Sequence, residues 1–357
     1  MPVPGALIEP LGLLEGQGAS DALRAGLALP LSAGRAYTLA RLIRPGAADE
    51  MVAAPALPPA WQPLAARLAA LPPPWLDGAD LPAVMGILNV TPDSFSDGGR
   101  HLSAAAAIAA GDAMLAAGAA ILDIGGESTR PGAAAVSIEE EQARILPVIA
   151  ALARAGATIS VDTRNAATMR AAIDAGAAIV NDVTALRHDP AAAAVVAAAG
   201  ARVILMHMRG TPATMDQEAR YGEVAREVVG DLADAVAAAV AAGIARARIA
   251  VDPGFGFAKL GVQNQALLRG LGLFANLGCP LVIGLSRKRF VGTAGGAADP
   301  QARLPGSLAA GLAAVLRGAT VLRVHDVAET VQALRVWRSI DPGPVADPVA
   351  DHGARHE

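Results

Sequence analysis

From residue 83 onward the chain alternates between two textures. Short apolar runs recur at Val84–Val90, Ile121–Gly126, Thr158–Thr163, Ala178–Val183, Arg202–His207, Ile249–Gly254, Leu281–Leu285 and Val321–His325. Between them lie longer alanine-rich, helix-favouring stretches, namely Ser103–Ala117, Glu139–Ala153, Asn165–Ala175, Pro190–Ala198, Gly222–Ala242, Asn264–Ala275 and Leu304–Leu316. Many of these stretches stop at a glycine, namely Gly118, Gly156, Gly176, Gly200, Gly243, Gly278 and Gly318. Glycine is the usual residue just past a helix C-terminus, because it accepts a left-handed backbone. The pattern predicts strands that alternate with helices, and therefore a parallel sheet.

Eight strand–helix units in roughly 250 residues match a (β/α)8 TIM barrel. A doubly wound open sheet is the alternative. It would more often carry a glycine fingerprint at its first strand–helix turn, and none is present. A Gly-x4-Gly-Lys-Ser/Thr phosphate loop is also missing.

Residues 1–80 read differently. Proline clusters at 58–59 and 72–74 exclude long helices and central strands. One short helix over about Gln62–Leu71 is expected between them. Upstream, "DALRAGLALPLSAGRAYTLARLIR" reads as a helix and then a strand. The fold class expected is thus α/β, a (β/α)8 TIM barrel over residues 81–340 with an N-terminal extension and Pro-rich linker over 1–80. That extension reads as a small α/β appendage or as a loosely ordered segment. Residues 341–357 read as a disordered tail.

Composition narrows the function. Hydrophobic residues make up 53% of the chain but aromatics only 3%, so the core must be mainly aliphatic. The net charge of −4 argues against a nucleic-acid or membrane-surface binder. No strongly apolar run is long enough to span a bilayer, and the start lacks the basic-then-apolar pattern of a signal peptide. The single cysteine, Cys279, excludes an intrachain disulfide and fits a cytoplasmic setting.

The apolar runs break their own rule at their C-terminal ends. Strands of a barrel are buried on both faces and should be nearly all apolar. Here the runs carry or end in Asn89, Asp123 and Glu127, Asp162, Asn181 and Asp182, His207, Asp252, Ser286 to Lys288, and Arg323 to Asp326. In a barrel these ends converge on one mouth, the usual catalytic face. A single one could be a cap or a satisfied buried group; capping explains the series poorly. Asp162, Asn181 and Asp252 supply acceptors and an amide suited to a flat, nitrogen-rich heterocycle. Lys288, Arg323 and His325 make a cationic cluster in an acidic chain, which suggests an anionic substrate. Two long loops, "TPDSFSDGGR" and "STRPGAAAV", follow the first and second runs and are placed to close over the mouth.

The motifs "GILNVTPDSFSDGG", "DIGGESTRPGA", "VDT", "NDV", "LMHMRGTP", "DPGFGFAK", "GLSRKRF", "LPGSLAA" and "RVHDV" together resemble the dihydropteroate synthase family. The resemblance runs in order from residue 84 to about 338 and says nothing firm about the front segment. It implies condensation of 6-hydroxymethyl-7,8-dihydropterin pyrophosphate with 4-aminobenzoate, with Mg2+, in a homodimer. Carried over motif by motif, Asp162, Asn181, Asp252 and Lys288 resemble the pterin-binding set. Asn89, Arg323 and His325 resemble the pyrophosphate site, with Asn89 as the protein ligand to Mg2+. Thr129, Arg130, Phe257 and Ser286 resemble the aminobenzoate site, and Asp97 stands beside the metal or the second loop. A methyl-transferring pterin barrel would share the Asp/Asn contacts but would not need the "STRPG" loop or the basic cluster. A non-catalytic pterin-binding paralogue should show decay in its loop motifs, and none is found.

Overall fold

The computed structural model describes residues 5–70, 75–76, 82–90, 100–127, 136–211 and 214–340; of 100–103 only the helical backbone is described. The chain divides into two compact units, one comprising residues up to Leu71 with those from Leu334 onward, the other Pro72–Ala333.

The front of the chain folds as an antiparallel sheet with two helices. Its strands are β1 (Leu7–Leu14), β2 (Leu29–Leu31), β3 (Arg35–Ile43) and β4 (Glu50–Ala53), and its helices are α1 (Gly16–Arg24) and α2 (Gln62–Ala69). Strand β3 is central. Strand β1 pairs along one edge, while β2 and β4 pair with successive parts of β3. Ile8, Tyr37, Leu42, Ile43, Leu64 and Leu68 are fully or almost fully buried. Glu9 and Arg41 oppose each other across β1 and β3 and make an ion pair of 2.6 Å. The expected α/β appendage is therefore present, with helix α2 at the position the sequence predicts. Strands β1, β2 and β4 are additions to that reading. "LIEPLGLL" carries a proline and a glycine, which mask a strand in sequence but are tolerated at a sheet edge.

The second unit is the barrel. Its strands are β5 (Ala83–Asn89), β6 (Ile121–Gly125), β7 (Ile159–Asp162), β8 (Ile179–Asp182), β9 (Arg202–Met206), β10 (Ile249–Asp252), β11 (Val282–Ile283) and β12 (Val321–Val324). They form an eight-stranded parallel sheet in the order β10-β9-β8-β7-β6-β5-β12-β11. A bridge between Val251 and Leu281 joins its two ends. The intervening helices are α3 (Arg100–Ala116), α4 (Ile138–Arg154), α5 (Ala166–Asp174), α6 (Ala192–Ala199), α7 (Val224–Ala241), α8 (Gly261–Arg269), α9 (Arg289–Gly295) and α10 (Leu304–Leu316), and α11 (Val327–Ile340) follows β12. This is the (β/α)8 TIM barrel.

Several boundaries differ from the sequence reading. The run at Leu281–Leu285 forms only a two-residue strand, followed by the turn at Ser286 and Arg287. The helix expected over Asn264–Ala275 begins at Gly261, ends at Arg269 and continues as tighter 3-10 turns to Leu277. The helix expected over Pro190–Ala198 is Ala192–Ala199. The glycines predicted to stop helices all have positive φ, from 58° at Gly278 to 114° at Gly176.

Side-chain layers inside the barrel separate structure from chemistry. One layer is apolar: Met85, Ile121, Ile179, Ile204, Ala250, Val282 and Val321 cluster with Trp75, whose Nε1 donates to the carbonyl of Arg248 at 3.2 Å. Two residues further along the strands, the same inward faces carry Asp123, Asn181, Asp252 and Arg323. The period of two makes this inevitable once the apolar layer is set.

Candidate active site

Arg323 is the hub of the barrel mouth. Its Nε donates to Asp123 Oδ2 at 2.6 Å and its Nη2 to Asp162 Oδ2 at 2.7 Å. Asn181 Nδ2 donates to the same Asp123 oxygen at 3.0 Å. Strands β6, β7, β8 and β12 thus meet through one guanidinium and two carboxylates. The other oxygen of Asp123 is buried without a hydrogen-bond partner. Asp252, from β10, accepts the backbone N–H of Gly254 at 2.7 Å.

The charges are unbalanced in favour of carboxylate. Burial pushes the Asp162 carboxyl upward; Arg323 opposes this, and Asp123, Asp182 and Glu141 reinforce it. Burial also pushes Asp252 upward, against the Gly254 N–H, Lys288, Arg323 and Lys259. Burial disfavours charge on Arg323, but Asp123 and Asp162 override it and hold the guanidinium firmly protonated. A ligand edge rich in N–H groups would satisfy the spare acceptors.

Asp182, the neighbour of Asn181, has another job. Its carboxylate accepts from Thr184 N and Oγ1, both at 2.7 Å, and from Leu186 N at 2.9 Å. It holds a turn in which Ala185 and Leu186 have φ of 53° and 62°, a left-handed conformation unusual for residues with side chains. Of the two polar residues ending β8, Asn181 faces the mouth and Asp182 braces the loop.

The basic cluster is assembled from three adjoining segments. Lys288 Nζ lies 4.5 Å from the centroid of the Phe257 ring, a cation–π arrangement. Buried Ser286 Oγ accepts the backbone N–H of His325 at 3.2 Å and lies 3.1 Å from His325 Nδ1. Arg287 has φ of 59° and is ion-paired with Asp326. It is braced through its N–H to Ser307 and through its carbonyl to Arg303. That left-handed turn carries Ser286 and Lys288 on either side of a residue whose own charge is neutralised. Asn89 ends β5 half-buried, next in the sheet to the strand of Arg323.

The structure therefore brings Asp162, Asn181, Asp252, Arg323, Lys288, Phe257, Ser286, His325 and Asn89 to the C-terminal side of one barrel. Asp97, Thr129 and Arg130, and the loops that hold them, lie outside the described residues. Arg323, placed by motif with the pyrophosphate group, here joins two carboxylates of the pterin side. Asp123 reads in sequence as a polar strand residue only, and the structure adds it to the site; its isolation within "ILDIG" is the available signal. Sequence reasoning also does not single out Lys259 or His207 for a role in the site.

Among the described residues no group of three His, Cys, Asp or Glu side chains could hold a metal ion. Asn89 does fit Mg2+, a hard cation that takes oxygen ligands, retains waters and commonly shares its shell with substrate phosphates. Among the described residues no helix is long and apolar enough to cross a membrane.

The pterin binding enzyme family matches residues 85–325. Dihydropteroate synthase of Escherichia coli (strain K12) is 47% identical over 256 residues, covering 71% of this chain and 90% of that protein. A Xanthomonas albilineans dihydropteroate synthase structure with 4-aminobenzoic acid has a TM-score of 0.70 and 49% identity, covering 74% of this chain and 95% of its own. The same protein in complex with 7,8-dihydropteroate gives 0.68 and 47%, with the same coverage. The chain belongs to the dihydropteroate synthase family of pterin-binding enzymes.

Proposed function

We propose that this enzyme joins 6-hydroxymethyl-7,8-dihydropterin pyrophosphate to 4-aminobenzoate, giving 7,8-dihydropteroate and pyrophosphate. The observation that carries the reading is the Asp123–Arg323–Asp162 bridge with Asn181 and Asp252 beside it. It is a buried, acceptor-rich pocket floor, suited to the N–H edge of a pterin, in a chain of this family. Asp162, Asn181 and Asp252 take that edge, and Lys288 donates to the ring system. His325 and Asn89, with Arg323 behind them, face the diphosphate. Thr129, Arg130, Phe257 and Ser286 hold the aminobenzoate, and Asp97, in the first loop, helps to hold the cation or to order the second loop.

The reaction breaks the bond between the pterin methylene carbon and the diphosphate oxygen and forms a carbon–nitrogen bond to the aniline. The bond electrons leave with the diphosphate, so the cationic side chains near it lower the cost of the departing charge. The electron-rich dihydropterin ring can share the positive charge left on the methylene, which favours bond breaking ahead of attack. The aniline nitrogen then attacks and loses a proton; its low basicity removes the need for a strong base. Bound Mg2+ would supply further charge neutralisation at the diphosphate, with Asn89 as its protein oxygen ligand. The reading includes a homodimer in the cytoplasm, which rests on the family resemblance and the single cysteine.

The test is product formation. Full-length protein is mixed with the pterin pyrophosphate and Mg2+, with and without 4-aminobenzoate, and pyrophosphate and dihydropteroate are measured together. Aminobenzoate-dependent release of both in equal amounts is expected. Pterin binding without product would overturn the reading in favour of a binding protein.

A further inference from the structure

Lys259 belongs to none of the groups assigned above, yet it is among the most buried charged residues of the barrel unit, with 3% exposure. Its Nζ lies 2.8 Å from the Phe257 carbonyl, 3.1 Å from the Gly254 carbonyl and 2.9 Å from His207 Nδ1. On its far side His207 Nε2 lies 3.0 Å from Asp231 Oδ2, an oxygen that also accepts from Arg209. An ionised carboxylate only accepts, so Nε2 of His207 carries its proton and Nδ1 is an acceptor. With the His207 carbonyl at 3.4 Å, Lys259 faces four acceptors, and its ammonium form, with three protons, satisfies more of them than the neutral amine can. Burial, Arg209 and Lys288 draw that ammonium down, to about 7, while Asp252 and Asp231 support it.

The two carbonyls it holds belong to the turn from β10 into α8. Gly254 gives its N–H to Asp252 and accepts the Phe257 N–H at 3.1 Å. Asn264 closes the turn from the helix side, accepting from Gly256 N at 2.8 Å and donating to the Lys259 carbonyl at 2.8 Å. Phe257 projects from this turn, half-buried, with Lys288 over its ring. The ring position of a phenylalanine on an eight-residue turn depends on the path of that turn, and Lys259 ties its Gly254 and Phe257 carbonyls to His207 at the end of β9.

We propose that Lys259, held by His207 and Asp231, is a positioning residue for Phe257 and thereby sets the affinity for the aminobenzoate substrate. This rests on the reading of Phe257 as an aminobenzoate contact. The test uses the full-length enzyme and a double-mutant cycle between Lys259→Met and Phe257→Ala, with thermal unfolding confirming that each variant is folded. Each single change is expected to raise KM for 4-aminobenzoate by about tenfold or more, and KM for the pterin pyrophosphate by less than about threefold. The double variant should be no worse than Phe257→Ala alone, because Lys259 acts through that ring. Multiplied effects in the double variant, or equal losses for both substrates, would overturn the proposal. An unchanged aminobenzoate KM in Phe257→Ala would instead remove the reading of the ring as a substrate contact, and the proposal with it. Should Lys259→Met not fold, Asp231→Asn takes its place in the cycle. A smaller rise that vanishes in the Phe257→Ala background supports the proposal, and the same rise in both backgrounds refutes it.

Discussion

Asn181 donates an amide N–H to Asp123 Oδ2 at 3.0 Å, which sets the orientation of the amide at the mouth. The same Asp123 oxygen receives Arg323. Asp123→Ala would strip a buried partner from both donors. A loss of about 1–3 kcal/mol of stability follows from the unpaired donors, with a drop of about tenfold or more in pterin affinity as the Asn181 amide is freed to rotate. Asp123→Asn keeps an oxygen where both donors point and should lose less on each count. Urea unfolding and calorimetry with the pterin substrate check this; identical behaviour of the two variants would show that Asp123 does not orient Asn181.

Removing Arg323 has a different signature. It is the shared cation of Asp123 and Asp162, both of them deep in the barrel. Breaking such a bridge leaves buried carboxylates uncompensated, at a cost of about 3–5 kcal/mol. Arg323→Met should therefore lose stability as well as turnover. The stability loss should shrink at low pH, because protonating Asp162 relieves the repulsion. A denaturant midpoint for Arg323→Met that falls in parallel with wild type from neutral to acidic pH would contradict the bridge.

Much of this is readable in the sequence for a physical reason. A barrel strand has no solvent face, so Asp162, Asn181, Asp252 and Arg323 inside apolar runs have to point at one another or at a ligand. The period of two then fixes which of them share the mouth. What the sequence does not disclose is which charges neutralise which. Arg323 reads as a free cation beside an anion site until its distances to Asp123 and Asp162 are known, residues 200 and 161 positions away. Arg287 reads either as a residue of the mouth or as half of a salt bridge, and only the structure names the partner, Asp326, 39 positions on. Lys259 ends "DPGFGFAK" as any loop lysine might; its buried partner is His207, 52 positions earlier. Strand β1 escapes a sequence reading because Pro10 and Gly12 suppress a strand signal that only pairing with β3 makes good.

Two glycines of the β10–α8 turn should respond unequally to a methyl group. Gly254 has φ of 69°, and a Cβ there would sit 2.0 Å from the backbone oxygen of His207. Gly256 has φ of 76°, but its Cβ would meet only the Lys288 side chain at 3.5 Å. The left-handed backbone alone costs an L-residue about 1–2 kcal/mol, so Gly256→Ala should lose about that much. Gly254→Ala must also move backbone that carries the hydrogen bond to Asp252. It should cost about 3 kcal/mol or more and weaken the pterin substrate with it. Thermal unfolding of the two variants side by side decides the matter; equal losses would mean that the turn yields without disturbing His207.

Acid should weaken the barrel through His207. Burial holds this imidazole neutral, drawing it down to about 4 despite its contact with Asp231, and Lys259 and Arg209 act in the same direction as burial. An unfolded histidine takes up its proton near pH 6.5, so below that value the unfolded chain binds a proton that the folded chain refuses. Stability contributed by neutral His207 is thus complete above about pH 6.5 and is lost as pH falls toward about 4. Across that window the loss is on the order of 2–3 kcal/mol, because a proton refused over one pH unit is worth about 1.4 kcal/mol. Asp231 extends the loss to lower pH. Its carboxylate, drawn down to about 2 chiefly by the hydrogen bond from His207, is stabilising above its ordinary range and ceases to be so as it protonates. His207→Gln keeps an acceptor for Lys259 and a donor for Asp231 but cannot titrate. Its urea midpoint should start lower at about pH 7.5 and fall less than wild type between about pH 6.5 and about 4.5. Parallel slopes in that window would show that the acid sensitivity of the fold comes from the carboxylates of the mouth and not from the histidine behind Lys259.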